Sequence, residues 1–238
     1  SDAEKMPGVF AVMVHQDLAD PGTDTTRNGL KDVDREFFNI MAKDKVLYKG
    51  HVIAAVAAID RNTAQEATRL IKVEYERLEP VRNVDEATAP NAPILIGDLI
   101  GDHLGENVTN TNIATHFRHE FGDVEEGFEL ADLIVEREVS LEMVHQGYIE
   151  PQAATAMWGA DGYVTIWTST QGHFVARDHI SHLLGIPVSR VKIIATEIGG
   201  GFGGKLNVYL EPLAVKLSEL SNRPVRMVMN REEVFRAT

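Results

Sequence analysis

A dense run of glycines late in the chain restricts its fold more than any other feature. Residues 199–204 hold five glycines, and the sixth position is Phe202. Glycine adopts left-handed backbone conformations that other residues avoid, and it lets backbone N–H groups approach an oxygen-rich ligand. Ordering so many glycines costs backbone entropy, so we expect this loop to contact something. The simpler alternative is a tight turn that only lets two elements pack.

Two nucleotide-binding motifs match the glycine run by spelling but not by context. Residues 199–204 satisfy G-x-G-x-x-G, and residues 199–205 satisfy the first part of G-x-x-x-x-G-K-[ST]. Leu206 stands where a phosphate-binding loop needs a hydroxyl for magnesium. The acidic residue expected about twenty positions later in a dinucleotide-binding fold is Glu219, which falls inside a predicted helix. A P-loop-type nucleotide-binding domain stays open as an alternative function.

Composition excludes several classes of partner. The chain has 238 residues, and 23 basic against 36 acidic side chains give a formal charge of −13. This charge opposes binding to nucleic acid or to an anionic membrane surface, and no apolar run reaches the length of a membrane span. There is no cysteine, which excludes disulfides and thiolate-held metal clusters from this stretch. We expect a cytoplasmic protein.

Hydrophobic periodicity predicts two units with mixed helices and strands. In the first, strand-like runs at residues 46–58 surround a Lys49-Gly50 turn, Asn62 can cap a helix, and residues 73–76 alternate like a strand. Residues 87–112 have the proline and glycine content of a connector, which places a boundary near residue 110. In the second, the pattern predicts strands at 162–168, 191–194 and 223–229, with a helix after each of the first two.

Eight short segments stand in a collinear order along the chain, at residues 6–9, 50–56, 73–76, 145–151, 169–172, 199–205, 223–226 and 231–233. Together they resemble segments of the xanthine dehydrogenase and aldehyde oxidase family. The resemblance implies an α+β chain: a hammerhead α/β domain at residues 1–110, lacking its start, and the truncated first part of a molybdopterin-binding domain at residues 111–238. It implies that the chain is a piece of the large, cofactor-binding subunit.

The resemblance also implies a chemistry and a set of partners. Members hydroxylate an aldehyde, heterocycle, aromatic-CoA or similar small substrate with water as the oxygen source. The cofactor is a molybdenum-pyranopterin, either molybdopterin itself or its cytosine dinucleotide. Electrons leave through 2Fe-2S clusters to FAD on partner subunits or domains, and the large subunit forms a homodimer. A relative that kept the fold only as a non-catalytic assembly module is the other alternative.

Residue roles follow from the same resemblance. The positions that match the family's cofactor-binding residues are Gln171, Gly172, Gly201, Phe202 and Gly203. Gln171 would hydrogen-bond an oxygen ligand of the metal, and residues 201–203 would offer backbone N–H groups beside it. The family's catalytic glutamate has no match here, so no catalytic residue is assigned, and Glu150 and Glu197 are not candidates. We expect the isolated chain to be inactive.

Three side chains near the glycine loop carry further expectations. Phe202 would wall the site from water, or would fill a core position as ordinary packing. Lys205 is expected to face solvent. Leu206 replaces the glutamate that contacts the purine in xanthine-oxidising members, and an apolar side chain cannot make that contact. Purine oxidation is therefore not expected.

Overall fold

The computed structural model describes residues 1–18 and 37–238, which form two compact units. One unit combines Ser1–Tyr75 with His145–Thr238, and the other is Glu76–Val144. Units that are compact in space need not coincide with domains in sequence, so the boundary near residue 110 stays a prediction. No helix in the described part of the chain is long and apolar enough to cross a bilayer.

The first part of the larger unit contains a two-stranded sheet and the helix that follows it. Strand β1 (Val9–Val14) pairs antiparallel with β2 (Ala54–Ala58), and helix α1 (Arg61–Arg69) follows. The helix begins two residues before the sequence predicted, because Asp60 rather than Asn62 is its N-cap and accepts a hydrogen bond from the Thr63 N–H at 2.8 Å.

Two strand predictions in this part were wrong. The run before the Lys49-Gly50 turn is not a strand, because the Leu47 N–H donates to Nδ1 of His51 at 3.1 Å instead of to a neighbouring strand. Residues 73–76 form no strand either. Tyr75 is largely exposed, so the alternating apolar side chains at these positions do not pack against a core.

The second part of the larger unit is a mixed four-stranded sheet. Its strands are β6 (Ala153–Trp158), β7 (Val164–Thr168), β8 (Val191–Ala195) and β9 (Val225–Val228). They lie in the order β8-β7-β6-β9, with β7 and β8 parallel and the other neighbours antiparallel. The three strands predicted from periodicity are confirmed as β7, β8 and β9.

Three helices complete this part. They are α4 (His173–Leu183), α5 (Glu211–Ser221) and α6 (Arg231–Ala237). Helix α4 connects β7 to β8 as a parallel pair requires, and packs on β8. Helix α5 contacts both sheets, which explains why most of its residues are buried, Glu211 and Ser218 included. Helix α6 starts with a capping box made by Asn230 and Glu233.

The smaller unit contains short elements only. They are helices α2 (Val84–Thr88) and α3 (Val124–Leu130) and strands β3 (Gly101–His103), β4 (Glu106–Val108) and β5 (Thr115–His116). The strands form a sheet of order β4-β3-β5, and residues 133–148 have no regular structure. Part of the predicted connector at 87–112 is therefore ordered as a small sheet. The α+β class expected from the sequence is confirmed.

Candidate functional site

Sheet topology brings the predicted site segments to one edge. Because β7 and β8 are parallel, the turn after β7 (residues 169–172) and the glycine loop after β8 (residues 199–205) leave the same end of the sheet. Strand β6 is antiparallel to β7, so residues 148–152 enter at that end too. Open sheets with parallel strands bind ligands at the carboxyl ends of those strands. The edge is therefore where a functional site is expected.

Gln171 is held against the glycine loop through its backbone and its side chain. Its N–H donates to the Lys205 carbonyl at 2.9 Å, and its Oε1 accepts hydrogen bonds from the N–H groups of Gly203 and Lys205, both at 3.1 Å. Gln171 is thus in direct contact with the loop residues that the resemblance places beside the same metal. Within residues 1–18 and 37–238 the Gln171 amide nitrogen has no hydrogen-bond partner. The two N–H donors of the side chain are therefore not used by the loop.

The loop backbone turns through left-handed conformations and leaves donors free. Gly200, Phe202 and Gly203 have φ of 97°, 50° and 92°. In the described part of the chain, the N–H groups of Gly200, Gly201 and Phe202 make no hydrogen bond. Successive unpaired N–H groups in such a turn attract anions. One expectation needs correction: the Gly203 N–H donates to Gln171, so the free N–H groups are those of residues 200–202 and not those of residues 201–203.

Three of the loop glycines lie too close to a neighbouring side chain to carry a Cβ atom, and one of them is Gly199, where a Cβ would lie 2.6 Å from Cβ of Glu150. A Cβ atom on Gly201 would lie 2.5 Å from Oε1 of Gln171, and one on Gly204 would lie 2.6 Å from Cε1 of Tyr148. A Cβ on Gly203 would meet nothing within 4 Å, so only its positive φ favours glycine there. The loop is thus fitted tightly on the protein side and is open on the other.

Lys205 does not face solvent, which corrects the sequence expectation. It is only 2% exposed, and its Nζ contacts Oε2 of Glu150 at 2.5 Å and lies 5.1 Å from the centre of the Tyr148 ring. A lysine paired in this way is not available to a nucleotide phosphate. The next helix begins only at Glu211, whereas a P-loop leads straight into its helix. The P-loop alternative was wrong.

The Glu150 carboxylate is the acceptor for both ends of the loop. Its Oε2 accepts from the Gly199 N–H at 2.7 Å as well as from Lys205. Partial burial alone would raise the pKa of the Glu150 carboxyl, but the hydrogen bonds from Lys205 and Gly199 together lower that pKa below its usual value. Sequence reasoning missed this pair, because the two residues are 55 positions apart and both are common surface types.

The remaining predicted residues border the same edge. Phe202 is 75% exposed, so the alternative that it fills the core was wrong. Leu206 and Ile198 are also exposed and add apolar surface at the two ends of the loop. Gly172 is the N-cap of α4, and its N–H donates to Oγ1 of Thr170 at 3.1 Å. Gly172 therefore serves the turn itself in this structure.

Comparison with known proteins identifies the family of this arrangement. The molybdopterin cofactor-binding domain model matches residues 104–238, more than half of the chain, and the model of the aldehyde oxidase and xanthine dehydrogenase a/b hammerhead domain matches residues 1–79. The chain belongs to the xanthine dehydrogenase and aldehyde oxidase family. Family members are molybdenum oxidoreductases, and the matched part corresponds to their molybdenum-binding large subunit.

Individual relatives agree with that assignment. The chain is 34% identical over 99% of its length to a subunit of a probable xanthine dehydrogenase from Bacillus subtilis, and 33% identical over 98% to the nicotinate dehydrogenase large molybdopterin subunit of Eubacterium barkeri. It superposes on a crystal structure of Cu,Mo-CO dehydrogenase with a TM-score of 0.77 and 30% identity, over 98% of this chain. The chain spans 29%, 50% and 29% of the lengths of these three proteins.

The residues at the sheet edge fit a molybdenum–pyranopterin. The cofactor is anionic and rich in oxygen, so the surface that holds it needs hydrogen-bond donors without further negative charge. The edge offers the Gln171 amide nitrogen and the three free N–H groups of residues 200–202. The nearby Glu150 carboxylate is neutralised by Lys205 and does not oppose an anionic group.

Proposed function

We propose that this chain forms one wall of the molybdenum site of a molybdenum hydroxylase, with Gln171, Gly172 and Gly201–Gly203 as its cofactor-binding residues. The observation that carries the proposal is the orientation of Gln171. Two backbone N–H groups hold its amide oxygen, so the amide nitrogen must act as the donor on the open side. A side chain fixed by its neighbours in this way is suited to orient a cofactor.

When bound, the molybdenum–pyranopterin supplies the oxidation of an electron-poor carbon, with water as the oxygen source. The protein residues bind and orient it. Gln171 donates without changing the charge of the site, and the N–H groups of Gly200, Gly201 and Phe202 offer further donors beside it. The Phe202 side chain is exposed here, and in the assembled site its ring would cover part of the edge against water.

We infer the substrate and the partners from the family and from Leu206, which replaces the glutamate of the xanthine-oxidising members. Leu206 is apolar and half exposed, and it cannot hydrogen-bond or ion-pair with a purine. We infer an aldehyde, an aromatic heterocycle, an aromatic-CoA or a similar small substrate. The relatives named above include proteins named for nicotinate and for carbon monoxide. We propose 2Fe-2S and FAD groups on partner subunits or domains, molybdopterin or its cytosine dinucleotide as the cofactor, and a homodimer of the large subunit.

A Gln171→Glu substitution tests the proposed donor. Glutamate keeps an acceptor oxygen for the Gly203 and Lys205 N–H groups but replaces the N–H donors with a charged oxygen. In the assembled enzyme we expect molybdenum content per chain and kcat to fall at least about tenfold. Gln65→Glu, an exposed position on α1, is the matched control. Full molybdenum content and unchanged kcat in Gln171→Glu would overturn the assignment of Gln171 as a cofactor donor. A wild-type assembly without molybdenum and without turnover would instead favour the non-catalytic relative.

A further inference from the structure

Glu150 joins the two ends of the glycine loop and connects them to Gln171. Its carboxylate accepts from Gly199, at the start of the loop, and from Nζ of Lys205, at the end. Its own N–H donates to the Gly199 carbonyl at 3.2 Å. One residue outside the loop thus makes three of the contacts that close it.

Lys205 passes this constraint on to Gln171. The Lys205 carbonyl accepts from the Gln171 N–H, and the Lys205 N–H donates to Oε1 of Gln171. The Lys205 side chain is almost completely buried, so its ammonium group depends on Glu150 for charge compensation. Displacement of the ammonium group would move the same backbone that orients the Gln171 amide.

The segment that carries Glu150 is itself anchored. Arg231, the first residue of α6, donates to the Tyr148 carbonyl at 2.9 Å and to the Ile149 carbonyl. The buried Tyr148 ring packs below Lys205. Glu150 is therefore a fixed point, and the loop is positioned relative to it.

We propose that Glu150 is a positioning residue for the cofactor-binding loop, and that its ion pair with Lys205 sets the orientation of the Gln171 amide and of the free N–H groups of residues 200–202. The proposal rests on the proposed function for the identity of the ligand. The geometry of the loop before any ligand binds is a property of the chain alone, and it can be measured without cofactor.

Amide hydrogen exchange on the purified chain tests the proposal. In Glu150→Gln we expect the amides of Gly203 and Lys205 to exchange at least about tenfold faster, because a buried ammonium group loses its counter-charge. The amides of β6 and β7 should keep their wild-type rates. Glu197→Gln is the matched control, since Glu197 is exposed and lies two positions before the loop. Faster exchange throughout the unit, or no change at Gly203 and Lys205, would overturn the proposal.

Two further measurements keep the test independent of how well one variant folds. Lys205→Met removes the same ion pair from the other side and should accelerate the same two amides, with no additional effect when combined with Glu150→Gln. In the wild-type chain, the nuclear magnetic resonance shift of the Gly199 amide should titrate at a pH below the usual carboxyl pKa. A Gly199 shift that is independent of pH would contradict the hydrogen bond to Glu150. Wild-type amide exchange rates in Glu150→Gln would refute only the proposal that Glu150 positions the loop. Wild-type molybdenum content and kcat in Gln171→Glu would refute the proposed function of Gln171 as a cofactor donor.

Discussion

A methyl group at position 201 should displace Gln171 without disturbing the rest of the fold. In Gly201→Ala the new Cβ would lie 2.5 Å from Oε1, 2.6 Å from Cδ and 3.0 Å from Cγ of Gln171. Non-bonded heavy atoms pack best at about 3.5 Å, so the Gln171 amide must move by about 1 Å. Such a movement breaks the hydrogen bonds from Gly203 and Lys205 to Oε1.

The magnitude follows from those two hydrogen bonds. Each contributes about 1 kcal/mol to the free energy of unfolding, which predicts a loss of about 2 kcal/mol. Alanine also restricts the unfolded chain and so recovers about 0.4–1 kcal/mol, since Gly201 does not have a positive φ. We expect a net loss of about 1–2 kcal/mol, measured by urea unfolding.

Gly203→Ala is the control that separates strain from displacement. Its methyl group would meet nothing within 4 Å, but its φ of 92° is unfavourable for alanine and costs about 1–2 kcal/mol. The two variants should therefore lose similar stability. Only Gly201→Ala should shift the side-chain amide resonances of Gln171 and expose the Lys205 amide to exchange. If Gly201→Ala leaves those resonances and that amide unchanged, the reasoning about close approach is refuted.

Three other predictions concern the frame around the site. Ser218→Ala should lower the free energy of unfolding by about 2 kcal/mol, because the buried hydroxyl donates to a carbonyl at 2.7 Å and accepts from a strand N–H at 2.9 Å. Ser221→Ala, which loses only a bond within its own helix, should change urea unfolding little, and equal losses would contradict this account. Asn230→Ala removes the cap of α6 and should cost about 1 kcal/mol, seen as a lower thermal midpoint; an unchanged midpoint would mean that the cap is not needed. Because the folded-state pKa of Glu150 is lowered from 4.5, its contribution is complete above that pH and is lost as the pH falls through the folded pKa. The stability difference between wild type and Glu150→Gln should therefore be constant near neutral pH and shrink in acid, and a difference that grows in acid would reverse the sign of the argument.

Periodicity predicted the part of the fold where local pattern and packing agree. Strand β7, helix α4 and strand β8 each have the hydrophobic spacing of the element they form, and a parallel pair needs a crossover between its strands. The predicted strand before Gly50 failed for a local reason. There, the imidazole of His51 accepts the Leu47 N–H, so a side chain takes the place of a neighbouring strand.

Sequence motifs predicted which residues form the candidate site, but they did not predict the contacts among those residues. The sequence placed Gln171 near residues 202–203, and the structure brings them into direct contact. It could not indicate that Lys205 is buried, because burial of a lysine depends on a partner elsewhere in the chain. It also could not indicate which N–H groups stay free, since that depends on which donors Gln171 already occupies.

The stability of the fold does not explain why position 202 is a phenylalanine. Phe202 has a φ of 50° in a loop where every neighbour is glycine, and a left-handed conformation costs a bulky residue about 1–2 kcal/mol. Burial of the ring does not offset this cost, because the side chain is 75% exposed. Glycine at this position would remove the strain and keep the free N–H. An exposed aromatic ring at a strained position is therefore explained better by contact with a ligand at the sheet edge than by stability of the chain.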